Sequence, residues 1–598
     1  MRPGTPLSGV RGRVPCYIER KPAVDGNMGE GGSESEMAAA TVVEREIETH
    51  RRLISRLKRE IFGVDKTHRS RYIREFNAEF RRFRRVATAE EVLDRAAKAD
   101  VVYFGDYHPL DSSQDWALRL MHDLTARGRR VVLALEMIYV HQQEHLDRWM
   151  QGSMTEEEFL DAIDYRSEWG FSWASFRRLF AQAKDPFIPI FGIDSEPREH
   201  LRLIRRRDRL AARRIATIRR FFPKHAILVV VGESHLASNH LPAAVRAAIG
   251  EPFRETVIVQ NVDEIYWELL RAGRENAEAV EIDRTRFCLV TTSPLLKYRA
   301  YRDIIDMWAD GEEGDRHTPF VHDAIKSILS FLDAGGPKRT VTMRGGWRET
   351  IGGALPEVRF RKTYRAFAAH LRSRRIPPRE ILRAGERLAS GGAAYVPAEN
   401  AVLVTEFRPQ AALREAARFV VHALRDDLGG ARPPRRGPAD AFYRAVIDEA
   451  LICLSVETVN PAGECGGAAS SAGHPGKRGA GSGRGIRGAG LEKPAIERLV
   501  RYHALRERSA PAVPRMTRPL RRLFALGPRT RLALERALGV RLAAGLHRLA
   551  HEGRLAPDGI ASLYAERLDG PGEAVRFYFE LAGRVRAGRG RRRASPSE

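Results

Sequence analysis

Cysteine is scarce in this chain of 598 residues, and its four copies lie far apart. Cys16, Cys288, Cys453 and Cys465 include no Cys-x-x-Cys pair. Disulfide-rich domains and cysteine-ligated zinc sites both depend on closely spaced cysteines, so we expect neither. A reduced interior, as in the cytoplasm, fits this usage.

Long apolar stretches are also missing. A transmembrane helix needs an apolar run of about 18 residues or more, and no apolar run in this sequence is that long. The N-terminal segment carries arginines but neither the apolar core of a signal peptide nor a lipobox. We therefore expect no transmembrane segment, a cytoplasmic location and a disordered segment over residues 1–38, within which Met28 and Met37 are alternative starts.

The chain has few negative charges relative to positive ones, and its formal net charge is +24. Such a charge attracts nucleic acid, anionic lipid or acidic ligands. However, the sequence contains no nucleic-acid-binding motif and no basic platform interleaved with aromatic residues. We therefore expect the charge to lie on solvated helix faces, and nucleic acid is not an expected partner.

Signatures of two common enzyme classes are absent as well. The glycine-rich segments do not have the spacing of a phosphate-binding P-loop. No Gly-x-Ser-x-Gly segment supports a serine hydrolase of the α/β type. The chemistry of this chain must therefore be sought in other residues.

From residue 88 onward, apolar strands alternate with amphipathic helices, and Thr88 with Glu91 forms a capping box for a helix over 89–98. The predicted strands cover residues 100–104, 131–135, 187–191, 226–231, 256–260 and 287–290. The other predicted helices cover residues 41–62, 69–84, 113–127, 140–151, 155–163, 197–221 and 239–249. Because nearly all-apolar strands separated by helices are typical of parallel sheets, the predicted fold class is α/β. A mostly parallel sheet flanked by helices fills the N-terminal half, and mainly helical regions follow it.

Composition divides the chain further. The predicted segments are a disordered N-terminus (1–38), amphipathic helices (39–84), an α/β domain (85–312), a mainly helical domain (316–457) with a hairpin at 393–406, a linker rich in Gly, Ala, Ser and Arg (459–493), a helical region (494–585) and a basic disordered tail (586–598).

Two short segments at predicted strand ends read almost alike. Gly105-Asp106-Tyr107-His108 follows the first strand, and Gly232-Glu233-Ser234-His235 follows the fourth. Glu136 ends the second strand. Because the carboxyl ends of parallel strands share one edge of a sheet, we expect these acids and imidazoles to converge there.

The converging groups suit several kinds of chemistry. As metal ligands we expect Asp106, His108, Glu136, Glu233 and His235, since imidazoles with carboxylates suit zinc, manganese or ferrous iron. A metal-bound water would be a nucleophile near neutral pH, and a spare carboxylate could act as general base. A single motif of this kind is typical of a turn glycine followed by a surface histidine, but two copies at equivalent strand ends favour a shared site.

At these residues the chain resembles the ChaN-like haem-binding uptake family, within the superfamily that also holds the Tiki proteases and erythromycin esterases. The resemblance covers about residues 85–310 and rests on Phe104–His108, on Leu135-Glu136-Met137 followed by Gln142 or Gln143, on the stretch from Asp194 to Arg198 and on Gly232–His235. It implies an α/β fold with its site at the strand ends, and haem or iron bound through Tyr107, His108 and His235. The hydrolases of the superfamily imply catalytic roles for His108, Glu136 and His235.

Three hypotheses stay open at this point. The first is a ChaN-like protein that binds haem or iron at the His/acid cluster. The second is a metal-dependent hydrolase acting on an ester, lactone or peptide. The third is an interaction protein with a degenerate site, which contacts anionic partners through its basic helices. The expected ligand is haem, a divalent transition metal or another small molecule, and the oligomeric state is left open.

Overall fold

The computed structural model describes residues 30–65, 67–184, 187–196, 198, 203–308, 317–333, 355–360, 363–425, 437–461, 493–509 and 526–590. Most of the predicted linker at 459–493 and the end of the predicted tail lie outside the described residues, as does the chain before residue 30. Within them, the first helix begins at Glu30 and the last ends at Gly590, so helix extends into both segments that were expected to be disordered.

Eight strands form the main sheet. They are β1 (Arg85–Ala87), β2 (Val101–Asp106), β3 (Val131–Tyr139), β4 (Ile190–Asp194), β5 (Ala226–Gly232), β6 (Glu255–Gln260), β7 (Ala279–Glu281) and β8 (Arg286–Leu289). Their order across the sheet is β1-β7-β8-β6-β2-β5-β3-β4. The β1/β7 and β7/β8 pairs are antiparallel and all others are parallel, which confirms the predicted mostly parallel sheet.

Helices cover both faces of this sheet. The helices in this half of the chain are α1 (Glu30–Val64), α2 (Arg71–Glu79), α3 (Ala89–Lys98), α4 (Asp111–Ala126), α5 (Gln143–Met150), α6 (Glu156–Ala162), α7 (Tyr165–Glu168), α8 (Trp173–Lys184), α9 (Ile204–Phe221), α10 (Leu241–Ile249), α11 (Asp263–Arg271) and α12 (Pro294–Trp308). Val102 and Phe104 of β2 pack into the core on one face, and Val101 and Tyr103 into the core on the other. Burial on both faces explains why the strand is apolar without alternation.

Helix α3 has the predicted bounds, because the capping box forms as expected. The Glu91 backbone N–H donates to Thr88 Oγ1 at 3.2 Å, and the Thr88 N–H donates to Glu91 Oε2 at 2.7 Å. Strand β4, by contrast, begins three positions later than predicted. Phe187 has a positive φ of 53° and is exposed, and Pro189 has no N–H for the sheet, so the strand starts after them.

Strand β3 is longer than predicted and contains Glu136 instead of ending at it. Its pairing with β4 shifts register between Leu135 and Tyr139, which is a bulge. A Cβ at Gly192 of β4 would lie 2.7 Å from the Ile138 carbonyl oxygen, so the bulged strand approaches β4 at a point where only glycine fits. Bulges redirect side chains at sheet edges, and this one lies beside Glu136.

The C-terminal half is mainly helical, as predicted. Its elements are α13 (His317–Asp333), β9 (Glu357–Phe360), α14 (Tyr364–Ser373), α15 (Pro378–Gly391), β10 (Ala393–Val396), β11 (Ala401–Val404), α16 (Pro409–Arg425), α17 (Pro438–Val459), α18 (Lys493–Ser509), α19 (Pro528–His551), α20 (Pro557–Ala565) and α21 (Glu573–Gly590). The predicted hairpin is confirmed by the antiparallel β10/β11 pair, and β9 adds a parallel third strand that the sequence did not predict. Helix α1 shares a core with α11 and with this helical region. None of the helices among the described residues is long and apolar enough to cross a membrane.

Two cysteines of the described chain differ in state. Cys453 is disulfide-bonded, so one cysteine is paired in a chain for which we expected no disulfide-rich domain. Cys288, in contrast, is a free and buried thiol on β8.

Candidate functional site

Three neighbouring parallel strands deliver the predicted groups to one edge of the sheet. Strand β5 lies between β2 and β3, with Asp106 in register with Gly232 and Leu135 in register with Val230. Glu136 is the residue of β3 after Leu135, and its side chain reaches Gly232 at the end of β5. The expected convergence at the carboxyl ends of the strands is therefore present in the fold.

His108 is oriented by the carboxylate two residues before it. Its Nδ1 lies 2.7 Å from Asp106 Oδ2. The other carboxylate oxygen of Asp106 accepts hydrogen bonds from Ser113 Oγ at 2.6 Å and Gln114 Nε2 at 2.7 Å. Because a carboxylate only accepts hydrogen bonds, Nδ1 of His108 carries a proton, and in the neutral ring the lone pair is on Nε2.

The ring of His108 is partly exposed and packs against two aromatic side chains. The side chain is 20% exposed, and within the described chain Nε2 has no hydrogen-bond partner. The ring centroids of Trp169 and Phe171 lie 4.5 Å and 5.0 Å from that of His108. Gly232 borders this space, since a Cβ there would lie 3.3 Å from His108 Nε2 and 3.4 Å from Glu136 Oε2.

Glu136 is buried and held by three donors. Its Oε2 accepts the Gly232 backbone N–H at 2.6 Å, and its Oε1 accepts from Arg207 Nη2 at 2.9 Å and lies 3.2 Å from His235 Nε2. Burial acts to raise the pKa of this carboxyl, but the charges of His235 and Arg207 outweigh it and hold the pKa well below its usual range. Glu136 is therefore an anion with both oxygens engaged.

His235 lies between two carboxylates. Its Nδ1 is 2.6 Å from Asp208 Oδ1, while its Nε2 faces Glu136. Tyr72 of α2 completes the group, since its hydroxyl donates to Asp208 Oδ2 at 2.8 Å. Burial acts to lower the pKa of His235, but the two carboxylates raise it to about 10. His235 is therefore an imidazolium whose nitrogens are both used.

Asp194 and two arginines form a charged network that contacts Glu136. Arg207 forms two hydrogen bonds with Asp194, at 2.8 Å and 2.7 Å, while it binds Glu136. Arg198 donates to Asp194 Oδ2 and to the Glu136 carbonyl oxygen, both at 2.9 Å, and its guanidinium lies 4.9 Å from the Trp169 ring centre. Asp194 and Arg198 thus support Glu136, and Arg198 also contacts the ring of Trp169.

Two predicted site residues lie in a neighbouring cluster. Glu233 Oε1 is 3.5 Å from Lys297 Nζ, and that ammonium lies 4.9 Å from the ring centre of Tyr107. Lys297 also faces Asp263 at 3.8 Å. Burial, with help from Asp263, raises the pKa of Glu233 even though Lys297 acts to lower it. Glu233 and Tyr107 are therefore both engaged with Lys297.

The five expected metal ligands do not form one compact donor set. Among the described residues, the group of three acids or imidazoles whose ligand atoms all lie within 4.8 Å of one another is Glu46, His547 and His551, in another part of the molecule. The metal-ligand set at the strand ends stays a prediction.

Sequence reasoning missed Tyr72, Arg207 and Asp208. A signal was nevertheless present in helix α9, whose buried residues recur at helical spacing from Ile204 to Ile218. Arg207 and Asp208 occupy positions of this stripe that are otherwise apolar. Charged residues on the buried side of a helix must be paired, so they indicated a polar site under α9.

Comparison with protein families gives a match in the same region. Residues 92–225 match the family described as haem-binding uptake, Tiki superfamily, ChaN. The chain contains a ChaN-like segment. This segment includes Tyr107, His108 and Glu136, and it ends before Glu233 and His235, so the resemblance inferred from the sequence is confirmed over a shorter range.

Solved structures show weaker similarity. ChaN of Campylobacter jejuni, solved with cofacial heme binding, is 13% identical, with 29% of this chain and 86% of that chain covered and a TM-score of 0.22. The C-terminal region of Pasteurella multocida toxin, with a thiol-protease-like catalytic triad, is 18% identical, with 31% and 26% covered and a TM-score of 0.22. No curated protein matches the chain. At this level of similarity, neither structure informs the site of the ChaN-like segment.

Proposed function

We propose that this protein binds haem at the strand-end site, with Nε2 of His108 as a ligand to the iron. The observation that carries the proposal is the state of this ring: Nδ1 is fixed by Asp106, and Nε2 is left without a partner among the described residues. Iron-ligating histidines commonly have their second nitrogen held by such a hydrogen bond, which fixes the ring and increases its basicity.

The residues around His108 fit a haem group. Trp169 and Phe171 place aromatic rings against the imidazole of His108, and Gly232 keeps the space beside Nε2 free of a side chain. A macrocycle is large and apolar with a metal at its centre, so an apolar wall next to a nitrogen donor suits it. The family description of the ChaN-like segment as haem-binding uptake supports the same ligand.

His235 and Tyr107 have different roles in this proposal. His235 stabilises the Glu136 anion and has no free lone pair, so it orders the site without binding iron. Tyr107 lies under Lys297, and burial holds the pKa of its hydroxyl well above the usual value, which disfavours a tyrosinate ligand. Haem, when bound, would supply the iron chemistry. The protein side chains around it would position the haem and exclude water.

A haemin titration of the purified full-length chain tests the proposal. We expect a saturable shift of the Soret band in the wild type. The matched control is His141→Ala, which replaces an exposed histidine and should show the same shift. His108→Ala should lose the shift or need at least about 10-fold more haemin, because loss of an iron ligand should cost at least as much as loss of its hydrogen-bonded support. No saturable shift in the wild type, or equal titrations of the two variants, would contradict it.

A metal-dependent hydrolase is the second candidate. It is supported by Glu136 Oε2 and His108 Nε2, which border the same space beside Gly232, since a Cβ there would lie within 3.4 Å of each atom. An acid and an imidazole placed in this way could share a metal-bound water. Turnover of a model ester by the metal-loaded protein, compared between His108→Ala and His141→Ala, tests it. Equal turnover in the two variants would remove this candidate.

A further inference from the structure

A second group of imidazoles and a carboxylate lies far from the sheet edge, between the first helix and the C-terminal helical region. Glu46 is on α1, and His547 and His551 are one turn apart on α19. Nothing in the strand-end site involves these residues. We infer that Glu46, His547 and His551 bind a divalent transition metal ion such as Zn²⁺, a site that we name the helix-junction site.

The distances suit one shared ion. Glu46 Oε1 lies 3.3 Å from His547 Nε2, and Glu46 Oε2 lies 2.8 Å from His551 Nε2. All three residues offer ligand atoms within 4.8 Å of one another. In a tetrahedral zinc site with bonds of about 2.0–2.1 Å, ligand atoms are roughly 3.4 Å apart, so small rotations of the side chains suffice.

Helical spacing explains how the two imidazoles reach the same ion. Residues four apart on a helix lie on one face, and the rings of His547 and His551 are 4.0 Å apart. Two histidines at this spacing with a carboxylate from elsewhere form a common donor set for zinc.

Both imidazoles face the same carboxylate. His547 Nε2 is buried against Glu46 Oε1, and His551 Nε2 lies against Glu46 Oε2. An ion placed among these atoms would be bound by all three side chains at once.

The charge and access of the helix-junction site also suit a cation. The Glu46 side chain is 2% exposed, and the carboxylates of Glu457 and Glu275 add negative charge near His547. The imidazoles are 14% and 13% exposed, so an ion can enter from the surface. Three protein ligands leave a coordination position for water, and the ion would tie α1 to α19.

Zinc binding by the full-length chain tests this inference. Protein stripped with a chelator is titrated with Zn²⁺ against a chromophoric chelator, and bound zinc is then measured by elemental analysis. We expect the wild type to bind a zinc ion at the junction. The double variant His547→Ala, His551→Ala should bind this ion with an affinity at least about 10-fold lower, or not at all. His108→Ala, which alters the strand-end site, should bind zinc at the junction as the wild type does.

A second measurement keeps the inference testable if the double variant does not fold. X-ray absorption at the zinc edge of the His108→Ala protein should show two imidazole ligands and no sulfur. Zinc should also raise the thermal midpoint of this protein by at least about 2 °C, because a ligand of the folded state stabilises it. Equal zinc affinity in the double variant, or a zinc spectrum without imidazole, would overturn the inference. Neither outcome bears on haem binding, which is measured separately.

Discussion

The two strand ends that carry the repeated motif give their histidines opposite environments. His108 has one carboxylate partner, an open nitrogen and a 20% exposed side chain. His235 has a carboxylate on each nitrogen and is 9% exposed. Similar local sequence at equivalent places in one sheet therefore produces one histidine suited to bind a ligand and one suited to hold charges together.

The difference comes from distant parts of the chain. Asp208 of α9 and Tyr72 of α2 reach His235, whereas Trp169 and Phe171, which precede α8, reach His108. Each partner fixes what its histidine can do by supplying either charge or an apolar face. A local motif thus predicts where an imidazole lies but not its protonation state.

Replacement of His235 should give the largest loss of stability. His235→Ala leaves the carboxylates of Glu136 and Asp208 buried without the cation between them, and removal of one partner of a buried ion pair costs about 3–5 kcal/mol. The free energy of unfolding from denaturant titration measures this loss. His108→Ala should change it by less than about 1 kcal/mol, since that side chain is partly exposed. Equal losses in the two variants would show that the two histidines do not differ as described.

The pH dependence of stability should report the charge of His235. The pKa of His235 is raised in the folded state from 6.5 to about 10, so the folded protein keeps a proton that the unfolded chain releases. The stabilisation is fully present below pH 6.5 and is lost as the pH rises to about 10. Unfolding titrations across this range should show a steeper decline for the wild type than for His235→Gln. A parallel decline would contradict the assigned charge.

Asp106→Asn should weaken haem binding without abolishing it. The amide can no longer act as a charged acceptor for Nδ1, so the ring is held less firmly and its Nε2 is less basic. Loss of such a supporting group typically costs about 10–100-fold in metal affinity. Haemin titration should place this variant between the wild type and His108→Ala, and wild-type affinity would argue against the role of Asp106.

Gly232→Ala should give the smallest effect on haem binding. The backbone at Gly232, with φ −54° and ψ 135°, accepts alanine, but the new Cβ would lie 3.3 Å from His108 Nε2. Crowding in a packed core costs at least about 1 kcal/mol, and at this half-buried position we expect that lower value, roughly 5-fold in affinity. Gly437→Ala is the control, because its Cβ would have no atom within 4 Å. If Gly232→Ala binds haem as tightly as Gly437→Ala does, haem does not occupy the space beside Gly232.

Much of the fold, and part of the site, followed from sequence pattern. The parallel strands were predictable because β2 and β5 are uniformly apolar, and α3 because Thr88 and Glu91 cap it locally. Strands β1 and β7 have only three residues each, too few for a period to emerge. The pairing of Arg207 with Glu136 was not predictable, since 71 residues separate them and only the packed helix brings them together.

Spectroscopy of the haem iron tests directly whether His108 is its ligand. Magnetic circular dichroism and resonance Raman spectra of the haem-loaded chain report whether a histidine nitrogen binds the iron. We predict a histidine signature in the wild type and in His235→Ala protein that remains folded, and its loss in His108→Ala. A histidine signature that survives in His108→Ala, or a tyrosinate signature in the wild type, would contradict the assignment of His108 as the iron ligand.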